Sequence, residues 1–269
     1  MSKKSLRPSP QKPVLSVSGV RYERGERLIL DDVRWEVSAG EHWVILGPNG
    51  CGKTSLINLL TGYDMATAGD IRVGDAQFGA ADWREVRKRI GLVASTLTFY
   101  LEPGEAVIDA VVSGREAMIN LIGDVKPALV REARALLKRF GCAHLIGSRW
   151  GVLSQGERQK ILICRALMAK YEVLILDEPC AGLDPVAREH FLTWLESLAA
   201  RRGAPSLVLV THHVEEILPC FNRVLLLKDG KVLAACEKNK VLTSARLSEA
   251  YGAKLRLTKS AERFRLSIG

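Results

Sequence analysis

Four short apolar runs punctuate the chain: Trp43-Val44-Ile45-Leu46, Ile90-Gly91-Leu92-Val93-Ala94, Val173-Leu174-Ile175-Leu176 and Leu207-Val208-Leu209-Val210. Each predicts a buried strand, because runs this short and this apolar suit a sheet covered on both faces. Helical spacing fills the stretches between them, over 55–60, 82–89, 107–118, 127–140 and 154–170, with a further helix from Asp184-Pro185. The start of the chain is β-rich: a strand over 14–23, then Leu28-Ile29-Leu30 and Val33-Arg34-Trp35-Glu36-Val37, and later a short strand at 69–74. After the last apolar run, Asp229-Gly230 joins 224–227 to 232–236 as a hairpin. A helix over 243–251 and a strand near 264–268 end the chain. Between 103 and about 150 nothing reads as strand, which predicts a helical subdomain, about 103–170, inserted into an α/β core. Residues 1–12, rich in Lys, Ser and Pro, are expected to be a disordered basic tail, with 13–269 as the folded unit.

The chemistry concentrates where apolar runs end. The first run leads into Gly47-Pro48-Asn49-Gly50-Cys51-Gly52-Lys53-Thr54, and a helix beginning Ser55-Leu56-Ile57 leaves it. Strand, glycine loop, helix is the context a phosphate-binding loop requires. Glycines allow successive N–H groups to point into one concavity, and the helix start adds free N–H groups and a positive dipole end. Lys53 can then reach β- and γ-phosphates, and the Thr54 hydroxyl can ligate Mg²⁺. Cys51, beside Lys53 at the amino end of that helix, is expected to have a lowered thiol pKa and high reactivity.

The third run ends in Asp177-Glu178-Pro179, two carboxylates at the carboxyl end of a core strand, where open α/β sheets bind ligands. The fourth ends in Thr211-His212-His213, which points to a functional histidine. Ser154 with Glu157 forms a capping-box pattern at the head of a helix. Tyr22 closes the first predicted strand, where an aromatic ring either packs in the core or stacks on a base.

Composition narrows the setting. No apolar run approaches the roughly 20 residues of a membrane-spanning helix, and the basic start lacks a signal-peptide core. The six cysteines are irregularly spaced without Cys-x-x-Cys, as expected of reduced thiols in a cytosolic protein. A net charge of +9 favours anionic partners: nucleotide, nucleic acid or anionic lipid.

With Leu153-Ser154-Gln155-Gly156-Glu157 in place, the chain resembles the nucleotide-binding domain of ABC-type ATPases over about 14–255. The glycine loop resembles that family's Walker A, Leu153 to Glu157 its signature, Val173 to Glu178 its Walker B with catalytic glutamate, Gly182-Leu183-Asp184 its D-loop, and His212 its switch histidine. Tyr22 matches the adenine-stacking aromatic. At the end of the second apolar run the family's usual glutamine is replaced by Ser95, a departure that bears on coupling to a partner.

The resemblance implies a P-loop core with a mostly parallel sheet, an N-terminal antiparallel β subdomain and the inserted helices. It implies an ATPase in which two copies close head to tail around two ATP. Gly47, Pro48, Asn49, Gly50, Cys51, Gly52, Lys53, Thr54 and Ser55 would hold phosphates, and Thr54 and Asp177 Mg²⁺. Glu178, His212 and Lys53 would be catalytic, Ser95 would sit near the metal, and Ser154, Gln155, Gly156, Glu157 and Asp184 would face the other copy's ATP. The implied setting is a transporter subunit at the inner face of the membrane, working through separate membrane-spanning chains. A soluble ATPase acting on nucleic acid or ribonucleoprotein is the alternative.

Overall fold

A computed structural model describes residues 12–121 and 123–269; the expected tail, apart from Lys12, falls outside them. The chain opens with β1 (Pro13–Arg24), β2 (Arg27–Ser38) and β3 (His42–Leu46), followed by α1 (Lys53–Leu60), β4 (Ala68–Val73), β5 (Ala76–Gln77), α2 (Trp83–Arg87) and β6 (Ile90–Ala94). Helices α3 (Val107–Val112), α4 (Pro127–Arg139) and α5 (Gln155–Met168) come next, then β7 (Val173–Asp177), α6 (Pro185–Ala199) and β8 (Ser206–Val210). The hairpin β9 (Arg223–Lys228) and β10 (Lys231–Glu237) precedes α7 (Lys238–Val241), α8 (Ser244–Tyr251), β11 (Leu255–Ser260) and β12 (Arg263–Ile268).

The four apolar runs form four adjacent strands of one six-stranded sheet, ordered β10-β9-β3-β8-β7-β6 with β6 at one edge, and parallel except at β10. Every residue of β3, β6, β7 and β8 is buried, which is what the continuous apolar runs demand. The N-terminal strands form a separate antiparallel sheet, ordered β2-β1-β4-β5. Trp35 of β2 meets Trp43 of β3 edge to face at 5.7 Å, joining the two sheets through the core. Neighbouring strands β6 and β7 are connected by described residues that are helical or irregular, apart from one isolated bridge, Ala106 to Arg149.

Local departures from the sequence pattern have physical causes. The segments 28–30 and 33–37 are one strand, because Asp32 adopts φ +49° and absorbs an irregularity in the pairing with β1. The helix expected over 107–118 leaves α geometry at Val112 and continues as a 3₁₀ turn, Ser113–Glu116. There the backbone runs against α5: a Cβ on Gly114 would lie 1.9 Å from the Arg165 carbonyl oxygen. The terminal strand β12 has a partner, β11, that the sequence pattern did not predict, and the pair forms a two-stranded sheet.

Candidate functional site

The register of the large sheet assembles the site. Ala94 pairs with Asp177, Asp177 with Val210, and Val210 with Ile45. Four adjacent strands therefore end level with one another. The residues just beyond those ends — the glycine loop, Ser95, Glu178 and His212 — emerge along one edge, where an open α/β sheet presents its ligand crevice. Ser95, Glu178 and His212 line a cavity of about 490 Å³ with Asn49, Gly50, Gly52, Lys53, Thr54 and Ser55 from the loop and helix start, and with Arg27, Ile29 and Ala181; Gly47, Pro48 and Cys51 do not line it.

The loop is shaped by close approach. Gly47 and Gly52 have φ of 156° and 104°. A Cβ on Gly47 would stand 2.4 Å from the Leu227 carbonyl oxygen, and one on Gly52 would stand 2.5 Å from Leu30 Cδ2. No side chain caps the start of α1 and its first turn carries no acid, so the positive helix end is left to an anion. Lys53 is buried, and its Nζ donates to the carbonyls of Gly47 at 2.8 Å and Pro48 at 3.0 Å. The ammonium is thus held within the loop's own concavity.

Asp177 is buried at the end of β7, and its Oδ1 has no hydrogen-bond partner. Burial, reinforced by the neighbouring Glu178 charge, pushes its carboxyl up to about 6, against an opposing pull from the Thr54 hydroxyl and Lys53. An orphaned carboxylate oxygen beside a hydroxyl is a hard-oxygen pair suited to Mg²⁺, which takes its remaining ligands from phosphate and water. Glu178 adopts φ +48°, its N–H donating to the Val210 carbonyl at 2.9 Å. That conformation brings Oε1 to 2.8 Å from Nδ1 of His212. The ring of His213 lies against that of His212, with centroids 4.0 Å apart.

The signature residues lie outside this cavity. Ser154 and Glu157 form a reciprocal capping box at the start of α5, Glu157 Oε2 accepting from the Ser154 N–H at 2.8 Å. Ser154 and Gln155 are exposed. Gly156 packs on the Gly182 carbonyl, which a Cβ would approach to 2.8 Å. Asp184 caps α6, its Oδ1 accepting from Val186 and Ala187 N–H at 2.9 Å each. Gln159, one turn into α5, donates to the Pro179 carbonyl at 2.8 Å and so ties the signature helix to the turn after Glu178.

The expectation for Cys51 is corrected, and Tyr22 lies apart from the cavity lining. Tyr22 is 5% exposed, its hydroxyl donates to Asp64, and it does not line the cavity; its partner across the strands is the buried Leu30, which places the ring on the core face. Cys51 is buried, and desolvation raises its thiol pKa despite the nearby Lys53. Arg27 and Ile29 reach the cavity without having been anticipated; their spacing of two on β2, one face of a strand, is the signal that could have found them.

Comparisons with known proteins agree with this geometry. The sequence model of the family described as "ABC transporter" matches residues 30–181. The chain is 41% identical over 239 residues to the uncharacterized ABC transporter ATP-binding protein YlmA of Bacillus subtilis (strain 168), covering 88% of this chain and 90% of the relative. It is 34% identical to the phosphonates import ATP-binding protein PhnC of Polaromonas sp., over 78% of this chain and 77% of that one. Among solved structures, a putative metal-chelate type ABC transporter in an inward-facing conformation superposes with a TM-score of 0.75 at 27% identity, covering 96% of this chain and 97% of the other. The dimeric ATP-binding cassette MJ0796, bound to ADP and Pi, gives 0.72 at 25% identity, over 83% and 98%. With the glycine loop, the paired acids and the histidine gathered at one sheet edge, and with relatives matched over 77% and 90% of their own length, the chain belongs to the ABC transporter family of ATP-binding proteins.

Proposed function

We propose that this chain is the ATP-hydrolysing subunit of an ABC-type transporter and works as a head-to-tail homodimer closed around two MgATP. The observation that carries the reading is the split site. One cavity holds Lys53, Thr54, Glu178 and His212, whereas Ser154, Gln155 and Gly156 lie outside it at the start of α5. A second copy, turned head to tail, would bring its α5 start to the γ-phosphate and add N–H groups and a positive helix end.

The roles follow from placement. The loop and Lys53 bind the phosphates, and Thr54 and Asp177 would hold Mg²⁺, which neutralises phosphate charge when bound. Glu178, at the cavity wall and in contact with His212, is placed to orient and deprotonate the attacking water. His212 would meet a γ-phosphate oxygen. Ser95 also lines the cavity, with a shorter reach than the family's glutamine.

No helix among the described residues is long and apolar enough to cross a membrane. In this reading the partners are membrane-spanning chains, with the ATPase docked on their cytoplasmic side. Relatives named as import ATP-binding proteins favour the transporter setting over a soluble ATPase acting on nucleic acid. The test is whether Glu178→Gln arrests hydrolysis and traps an ATP-bound dimer.

A further inference from the structure

The family resemblance gives a task to His212 and none to His213, yet the second histidine, though half exposed, lies in contact with the first and with its surroundings. Its ring packs against that of His212 with centroids 4.0 Å apart and planes tilted by 39°. Its backbone N–H donates to the Thr211 hydroxyl at 3.0 Å, and its Nδ1 lies 3.3 Å from Glu215 Oε1. Glu215 is itself clamped from outside the catalytic edge: Arg263, on the C-terminal strand β12, donates to its carbonyl at 2.9 Å and to Glu189 of α6 at 3.0 Å. An unbroken chain of contacts therefore runs from the C-terminal sheet through Arg263, Glu215 and His213 to the ring that faces Glu178.

We propose that His213 is a positioning residue for His212, buttressing one face of its ring so that Nδ1 stays on Glu178, with Arg263 holding the buttress in place. An imidazole has two easy torsions, and its second is broad. A neighbour on one face removes the rotations that would swing Nδ1 off the carboxylate. Placement matters here because small errors in the aim of a reacting group carry large rate costs. The inference rests on the ATPase reading for its kinetic consequence, but its geometric content is independent of that reading.

The experiment pairs two readouts on wild type, His213→Ala, His213→Phe and Arg263→Ala. The first is the long-range ¹H–¹⁵N spectrum of the five histidine rings in nucleotide-free protein, with His212 assigned by substitution. Wild type is expected to show one held ring state for His212, His213→Ala an averaged one, and His213→Phe, which keeps a ring on that face, the held state again. The second is steady-state hydrolysis with MgATP. His213→Ala should lower kcat roughly tenfold with KM within about twofold, His213→Phe should recover most of kcat, and Arg263→Ala should fall between them. A His212 spectrum unchanged in His213→Ala overturns the proposal, as does a rise in KM that accounts for the whole loss, which would make His213 a nucleotide contact. The ring spectra decide the matter even in a protein that fails to hydrolyse ATP, so failure of the ATPase reading and failure of this inference are told apart.

Discussion

Glu178 Oε1 and His212 Nδ1 lie 2.8 Å apart although 34 positions separate the two residues in the chain. The contact is made by the sheet. Asp177 and Val210 pair across β7 and β8, so the residue after one and the second after the other leave the same edge side by side. The left-handed backbone of Glu178 then turns its side chain along that edge instead of away from it. The Glu178–His212 pair is thus a product of strand register, and a change that shifts β7 against β8 would separate it without touching either residue.

Cys51 tests the balance between charge and burial. Lys53 and the helix end favour a thiolate, but desolvation prevails and the thiol pKa rises. Maleimide is therefore expected to label Cys236 first: Cys51, Cys142, Cys164 and Cys180 are buried, and Cys220, though partly exposed like Cys236, has its thiol pushed up to about 11 by desolvation. Mass-spectrometric mapping in native buffer should find Cys51 modified at least about tenfold more slowly than Cys236, with ATPase activity retained while Cys236 is consumed. Rapid labelling of Cys51 with loss of activity would show that the loop opens enough to expose it.

Most of the fold and much of the site were legible because the informative residues sit at the ends of apolar runs. Strands β3, β6, β7 and β8 are fully buried and apolar except at their end residues His42, Asp177 and Ser206, as strands covered on both faces tend to be. The failures occur where a distant part of the chain decides. The sequence pattern around Gly114 is helical, but the approach of Arg165 ends α3 early. Strand β11 carries mostly exposed side chains and has β12 as its only ladder partner among the described residues, so it lacks the apolar signature of the core strands. Which face Tyr22 presents depends on its pairing with β2, and the sign of the Cys51 shift depends on what covers it.

Tyr22 offers a direct check of whether its ring packs in the core or meets a base. Tyr22→Phe removes the hydroxyl that donates to Asp64, at an expected cost of about 1 kcal/mol in stability, read as a lower midpoint in urea. ATP affinity by calorimetry should be unchanged. Tyr22→Leu removes the aromatic face while staying apolar, and affinity should remain within about threefold, roughly 0.7 kcal/mol. A tenfold loss in Tyr22→Leu alone, with Tyr22→Phe intact, would restore the ring as a base platform.

Asp177 makes a prediction in pH. Its folded pKa, about 6, exceeds its ordinary value of 3.8, so the native state binds the proton more tightly than the unfolded chain. The ionised carboxylate therefore destabilises the nucleotide-free protein above pH 6, and the penalty fades as pH falls from about 6 towards 4. Asp177→Asn should stabilise the nucleotide-free protein by about 2–3 kcal/mol near pH 7.5 and by little near pH 4. Thermal melts at the two pH values check this. The same variant should keep ATP binding in EDTA and lose the added affinity that Mg²⁺ provides. Equal stabilisation at both pH values would mean that the gain comes from packing and not from charge.

Glu178 is the proposed base. If it orients and deprotonates water, Glu178→Gln preserves the shape of the site while removing the base, and hydrolysis should fall by about 10²–10⁴. Nucleotide binding should survive, because the loop and Lys53 are untouched, and loss of a negative charge beside the γ-phosphate favours the closed state. Hydrolysis should therefore collapse while an ATP-bound dimer accumulates, with the wild type mainly monomeric under the same conditions because it consumes its ATP. Light scattering on a sizing column run in MgATP reads both species. Adding Ser154→Arg to the Glu178→Gln background should abolish the dimer: Ser154 is exposed at the start of α5, and a long cation there blocks the approach of the opposing γ-phosphate. Near wild-type hydrolysis by Glu178→Gln would remove Glu178 from the base role. An inactive variant that binds ATP yet stays monomeric at high protein concentration would instead remove the homodimer, since the face presented by α5 would then need a different partner.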